Sequence, residues 1–126
     1  MVRKNSVKRQ AILDALCQSC EHPSAEMLYE QLKPEIPDLS LGTVYRNLSM
    51  FCEDGAAMTV GKVDGKERFD GKTFPHTHFI CRGCKRVLDV EEPLEGKESY
   101  EASLKEIGFK PESYSLTFSG LCNKCN

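Results

Sequence analysis

No apolar run in the 126 residues approaches the ~20 needed to cross a bilayer, which excludes a membrane-spanning helix. No apolar h-region follows the basic stretch from Met1 to Gln10, so nothing resembles a secretory leader. The chain is therefore expected in the cytoplasm, without a membrane partner. An excess of basic charge is also missing: 17 Lys and Arg face 19 Asp and Glu, for a net charge of -2. That excludes a protein that coats nucleic acid indiscriminately, because such binding scales with the phosphates neutralised. Seven cysteines make an odd count, and a disulfide framework expects an even one in a secreted chain. Histidine is scarce, with three in all. Internal repeats and low-complexity tracts are absent.

What is present, 40% hydrophobic and 29% charged residues, is the composition of a soluble globular protein. The length suits one domain or two small modules that each need a staple. A local basic patch survives in the acidic whole, since Arg3, Lys4, Lys8 and Arg9 precede the first acidic residue, Asp14. From Val7 to Cys17 the apolar positions Ala11, Ile12, Ala15 and Leu16 recur at helical spacing. After Glu21-His22-Pro23, Ser24 caps a second helix whose buried face is expected to carry Met27, Leu28, Gln31 and Leu32. Pro34 and Pro37 end it. Ser40 then caps a third helix, with an apolar stripe of Leu41, Val44, Tyr45, Leu48 and Phe51 running to a stop at Gly55.

Beyond Gly55, the stretches 56–62 and 66–70 flank Asp64-Gly65, a strong hairpin signal. Three short helices followed by a hairpin predict a winged helix-turn-helix over residues 1–71, with the third helix as the reader. On it Arg46 offers a guanine or phosphate contact and Asn47 an adenine contact. Tyr45 offers a phosphate or thymine-methyl contact, and Thr43 stands with them as a further candidate, the alternative being a plain solvated helix face.

Residues 72–126 predict a small α+β module: strands at 77–81, 86–90 and 114–121, and a helix from Glu98 to Ile107 that ends at Gly108. The fold class is α+β. The module's core is thin, resting on Phe79, Ile80, Val87, Leu88, Leu104, Ile107, Phe109, Leu116 and Phe118. A unit of this size needs a metal or a partner chain.

Cys81-Arg82-Gly83-Cys84 and Cys122-Asn123-Lys124-Cys125 supply four thiolates, the donor set of a tetrahedral structural zinc site. With no open coordination position, such a metal folds the module and catalyses nothing. A thiol-redox enzyme could use one such pair, and a zinc-ribbon interaction module could use both without binding DNA. Cys17, Cys20 and Cys52 lack a second pair and read as packed or incidental thiols. A second constellation is His76-Thr77-His78, whose alternate positions put both imidazoles on one side of an extended segment, with Asp70 before it and Asp89 after the first knuckle. With His22, all three histidines can serve one site. Such nitrogen and carboxylate donors suit iron(II), manganese(II) or zinc, and the bland alternative is a set of exposed polar residues.

These pieces carry a family resemblance. His22-Pro23-Ser24-Ala25-Glu26, Gly42-Thr43-Val44-Tyr45-Arg46-Asn47-Leu48, Arg68-Phe69-Asp70, His76-Thr77-His78-Phe79-Ile80-Cys81 and Gly120-Leu121-Cys122 together resemble the ferric uptake regulator family over essentially the whole chain. The resemblance implies a metal-dependent transcriptional repressor: a homodimer whose winged helices bind a palindromic operator, with residues 72–126 as the dimerisation and metal-binding domain. It implies structural zinc on Cys81, Cys84, Cys122 and Cys125. It also implies a regulatory metal between the domains, on His22, Asp70, His76, His78 and Asp89.

Aspartate at position 89, where iron sensors of the family commonly have glutamate, is similar to the family's peroxide-sensing members. Asp70 agrees. This favours an iron(II) or manganese(II) site at which hydrogen peroxide, as the signal, oxidises His22 or His76 when iron is bound. An iron-responsive repressor of metal uptake genes is the alternative. Tyr114 stands where many relatives carry histidine, so an additional metal site found in parts of the family is expected to be incomplete.

Overall fold

The computed structural model describes residues 6–73, 77–90, 97–112 and 114–126. Helix α1, Ser6–Gln18, buries Ile12, Ala15 and Leu16 at the predicted helical spacing. Helix α2, Ala25–Leu32, opens at Ser24, whose hydroxyl accepts the Met27 N–H at 3.2 Å and satisfies one of the donors that a first turn leaves without a helical partner. Its buried face is Ala25, Leu28 and Leu32. Met27 is half-buried and Gln31 exposed, against expectation, because the helix packs from its first residue and the stripe runs at spacings of three and four from Ala25.

Helix α3, Leu41–Glu53, is capped by Ser40, which accepts the Thr43 N–H at 3.1 Å. Val44, Leu48 and Phe51 are buried, but Tyr45 faces outward and is not part of the apolar stripe. Gly55 ends the helix at φ 78°, with Gly55 N–H on Cys52 O and Ala56 N–H on Phe51 O, the two bonds of a Schellman stop. Strands β1, Met58–Val63, and β2, Lys66–Asp70, pair antiparallel. Asp64 and Gly65 both take positive φ, at 51° and 79°, as the two-residue hairpin turn requires. The three helices and Phe69 of β2 close one apolar core around Ile12, Leu28, Val44 and Leu48.

Strand β3, Thr77–Cys81, lies between β4, Val87–Val90, on one side and β5, Thr117–Gly120, on the other. β4 runs antiparallel to β3 and β5 parallel to it. Helix α4, Lys97–Glu106, lies between β4 and β5 in the chain. The strand predicted over 114–121 is shorter than expected, its ladder running only from Thr117 opposite His78 to Gly120 opposite Cys81. Of the nine apolar residues expected to form this half's core, only Val87 is fully buried. Phe79, Ile80, Leu88 and Leu116 are half-buried, and Leu104, Ile107, Phe109 and Phe118 are exposed. A small sheet with so little covering it cannot enclose its own apolar groups. No described helix is long and apolar enough to cross a membrane.

The two halves meet along β2. Within the N-terminal half Phe69 N–H donates to Pro23 O at 2.9 Å, and across the boundary the Arg68 guanidinium reaches Lys85 O at 3.1 Å, just beyond the first cysteine pair.

Candidate metal centres

Cys81 closes β3, and the parallel register sets it opposite Gly120, two residues before Cys122. Pairs that are 38 residues apart, measured from Cys84 to Cys122, are thereby brought together. The four sulfurs lie within 4.8 Å of one another, and Cys84 Sγ is 3.9 Å from Cys122 Sγ. A disulfide needs about 2.05 Å. A tetrahedral cage with metal–sulfur bonds of about 2.3 Å has edges of roughly 3.8 Å, so the spacing is that of a cage.

Backbone N–H groups of Cys84 and Cys122 point at Cys81 Sγ, at 3.5 and 3.4 Å, and hold its thiol down to about 6. Cys125, hydrogen-bonded to Cys81 and Cys122, is pushed up to about 12. Crowded sulfurs cannot all ionise against each other unless a cation sits among them. The donor set fits structural zinc.

The second centre draws on both halves. His22 precedes α2 at φ 53°, a left-handed conformation uncommon for a residue with a Cβ. Its Nδ1–H donates to Val87 O at 2.8 Å, since a carbonyl can only accept. This fixes the tautomer and turns Nε2 towards two carboxylates, 2.9 Å from Asp89 Oδ1 and 3.2 Å from Asp70 Oδ2. His78 Nε2 lies 3.1 Å from Asp70 Oδ2 and 3.4 Å from Asp89 Oδ1. The register of β3 with β4 puts His78 directly opposite Asp89, and Asp70 enters from the end of β2 with its other oxygen held by the Lys72 N–H. The imidazoles meet edge to face with centroids 5.1 Å apart.

With Nδ1–H committed to Val87, a neutral His22 ring would turn a lone pair at Nε2 towards carboxylate oxygens, acceptor against acceptor. Either a proton or a divalent cation must lie between them. Burial opposes a charge on His22, but Asp70 and Asp89 outweigh it and raise its pKa. Burial likewise opposes the Asp70 carboxylate, yet bonds from His22, Lys72 N–H and His78 hold it far below the usual range. Two imidazole nitrogens and two carboxylate oxygens within 4.8 Å fit iron(II) or manganese(II). His76, the fifth expected residue, lies outside the described residues, as do Arg3 and Lys4 of the basic patch.

On α3, Tyr45 and Arg46 are exposed, and Thr43 and Asn47 half-buried. The Tyr45 hydroxyl donates to the Glu26 carboxylate at 2.8 Å, and Lys66 of the hairpin lies 3.6 Å from the same group. Asn47 Nδ2 donates back to Thr43 O at 2.8 Å, and Arg46 to Thr43 Oγ1 at 3.1 Å. Lys8 of the basic patch pairs with Asp38 at 2.9 Å. Cys17 and Cys20 are exposed and Cys52 half-buried. The sequence reading missed Arg68 and the Val87 carbonyl, since neither has a metal-ligand signature.

Residues 2–119 match the family model described as ferric uptake regulator family. The peroxide operon regulator of Bacillus subtilis is 36% identical over 120 residues, covering 94% of this chain and 81% of the relative. The Campylobacter jejuni peroxide stress regulator superposes with a TM-score of 0.75 at 30% identity, over 95% of this chain and 90% of that one. The Helicobacter pylori ferric uptake regulator Fur, at 22% identity, shares the fold with a TM-score of 0.83 over 97% of this chain and 81% of its own. The chain belongs to the ferric uptake regulator family.

Proposed function

We propose that the protein is a metal-dependent, peroxide-responsive transcriptional repressor. One observation carries the reading: His22, Asp70, His78 and Asp89, from four separate segments, bring their ligand atoms within 4.8 Å of one another. His76 completes the regulatory set in this reading, and Cys81, Cys84, Cys122 and Cys125 hold zinc. The division falls at residues 71 and 72, between a winged-helix DNA-binding domain and a dimerisation domain. The relatives named as peroxide regulators support the peroxide branch.

The chain's residues then have distinct tasks. His22, pinned through Nδ1 to β4, presents Nε2 to the site from the DNA-binding side, while His78 and Asp89 present theirs from the sheet. Asp70, at the end of the hairpin, stands between them. Filling the site favours one orientation of the two domains, and in a homodimer that sets the spacing of two α3 helices for the half-sites of a palindromic operator. Thr43, Tyr45, Arg46 and Asn47 carry the DNA contacts, with Tyr45 exchanging its Glu26 bond for the operator. The exposed Ile107, Phe109 and Phe118 are covered by the second copy. Bound iron(II) supplies the chemistry by which hydrogen peroxide oxidises a ligating ring. His22 or His76 would take one oxygen of the peroxide at a ring C–H, the other leaving as water, and a ring so altered would no longer hold the two domains to one orientation.

The test is mass spectrometry after iron(II) and peroxide exposure. A gain of one oxygen is expected on a peptide containing His22 or His76, with manganese(II)-loaded protein unchanged and still on DNA. If peroxide releases the iron-loaded protein from its operator no faster than the manganese-loaded one, the iron-responsive alternative takes its place.

A further inference from the structure

Arg68 is a buried cation in the middle of β2, and the chemistry above gives it no part. Its guanidinium spends its donors on backbone carbonyls from two separate places. Nε donates to His22 O, Nη2 to Glu21 O at 2.9 Å and Nη1 to Lys85 O at 3.1 Å. Three residues other than glycine take positive φ among those described: His22, Asp64 and Lys85. Asp64 is explained by the hairpin turn. The other two, at 53° and 63°, both supply carbonyls that Arg68 holds, the third coming from Glu21.

Such conformations persist only where the surroundings enforce them. Each has a consequence at the histidine–aspartate cluster. The His22 conformation aims its ring out of the segment before α2 towards β4. The Lys85 conformation turns the chain out of the first cysteine pair, with Lys85 N–H on Cys81 O, and into β4, where Val87 accepts the His22 Nδ1–H. One planar fork therefore fixes both ends of the His22–Val87 bond. A lysine ammonium at the same place is a compact charge on a flexible stem and cannot span three carbonyls in that geometry.

We propose that Arg68 is a positioning residue for the regulatory metal site: it holds His22 in its ligating pose against β4. The inference rests on reading the histidine–aspartate cluster as that site. Groups that orient metal ligands through hydrogen bonds typically change affinity by about 10–100-fold when removed.

The test uses the full-length zinc-loaded protein, with manganese(II) as the probe. Arg68→Lys and Arg68→Met are compared with the unaltered chain in manganese(II) affinity, zinc content and the nuclear magnetic resonance signal of the His22 Nδ1–H. Both variants are expected to keep stoichiometric zinc, to lose the slowly exchanging Nδ1–H signal and to bind manganese(II) about 10–100-fold more weakly. Should Arg68→Met fail to fold, Arg68→Lys, which keeps a buried cation and the aliphatic stem, carries the test.

Unchanged affinity, or full rescue by lysine, overturns the proposal with the metal reading intact. His78→Ala is the separate control on that reading. If it leaves manganese(II) binding unaltered, the cluster is not the site, and the role given to Arg68 falls with it.

Discussion

The two four-residue clusters have the same compactness, ligand atoms within 4.8 Å, and opposite construction. The cysteines come as two pairs, each local in sequence, joined by one parallel register inside the C-terminal half. The histidines and aspartates come from four segments, two on each side of Gly71, and no pair of them is adjacent in the chain. The halves differ in the same sense. The N-terminal half encloses its own apolar core, whereas the C-terminal half leaves Ile107 65% and Phe109 61% exposed. Soft donors thus sit where a weak core needs a staple, and harder donors sit where two bodies meet.

The largest effect should come from breaking the staple. Cys122→Ser removes one corner of the cage together with the sulfur that contacts Cys84. Structural zinc sites contribute folding energy directly, so the sheet β4-β3-β5 is expected to lose its order while α1 to α3 stay folded. Amide spectra resolved by residue, with zinc content measured alongside, would show it. Collapse of both halves together would mean that the N-terminal core depends on the zinc module, contrary to the contrast drawn here.

Next in size is the complementary break. Leu28 is fully buried in the N-terminal core, and Leu28→Ala should cost about 2–5 kcal/mol in denaturant unfolding. Zinc content should not change. A variant that sheds zinc on this substitution would show that the two halves unfold as one unit.

A third substitution asks what covers the open side of the C-terminal half. Ile107→Lys and Phe109→Lys place charge on its exposed apolar surface. The expected result is a shift from dimer to monomer in sedimentation, with both zinc and the α1–α3 core retained. A dimer of unaltered stability would move the interface elsewhere.

How far the sequence could be read follows from the same contrast. Helix caps at Ser24 and Ser40, the stop at Gly55 and the Asp64-Gly65 turn are local signals, and each stands where the residues put it. The cysteine pairs were legible because CxxC is itself a local motif. Residue type and alternation offer His22, Asp70, His78 and Asp89 only as candidates, beside a reading as exposed polar residues, because what joins them is register: His78 opposite Asp89, and Pro23 hydrogen-bonded to Phe69. Tyr45 was misplaced because an aromatic at helical spacing looks apolar, while its hydroxyl had a partner in Glu26 that spacing does not reveal. Arg68 enters the sequence reading only within the Arg68-Phe69-Asp70 match and with no role of its own, since binding to backbone carbonyls leaves no trace in the identity of the residues that supply them.

The smallest effect distinguishes the clusters by their protons. His22 has a pKa raised above 6.5, with Asp70 and Asp89 outweighing its burial, and Asp70 has one lowered from 3.8. In the metal-free chain the contribution of His22 to stability is therefore complete below pH 6.5 and is lost as pH rises through its raised value. The contribution of Asp70 is present above pH 3.8 and is lost only as pH falls through its depressed value. A bound metal must displace the proton shared at His22 Nε2, so its affinity has the opposite slope. Manganese(II) binding should strengthen by about tenfold per pH unit, or roughly 1.4 kcal/mol, until the raised His22 pKa is passed, and then level off. Zinc in the cysteine cage should stay stoichiometric over the same range. Titrations of manganese(II) at a series of pH values measure the slope directly. A flat profile from pH 6.5 upward would mean that no proton leaves His22 when the metal enters, and that the bridge between the halves is built without that ring.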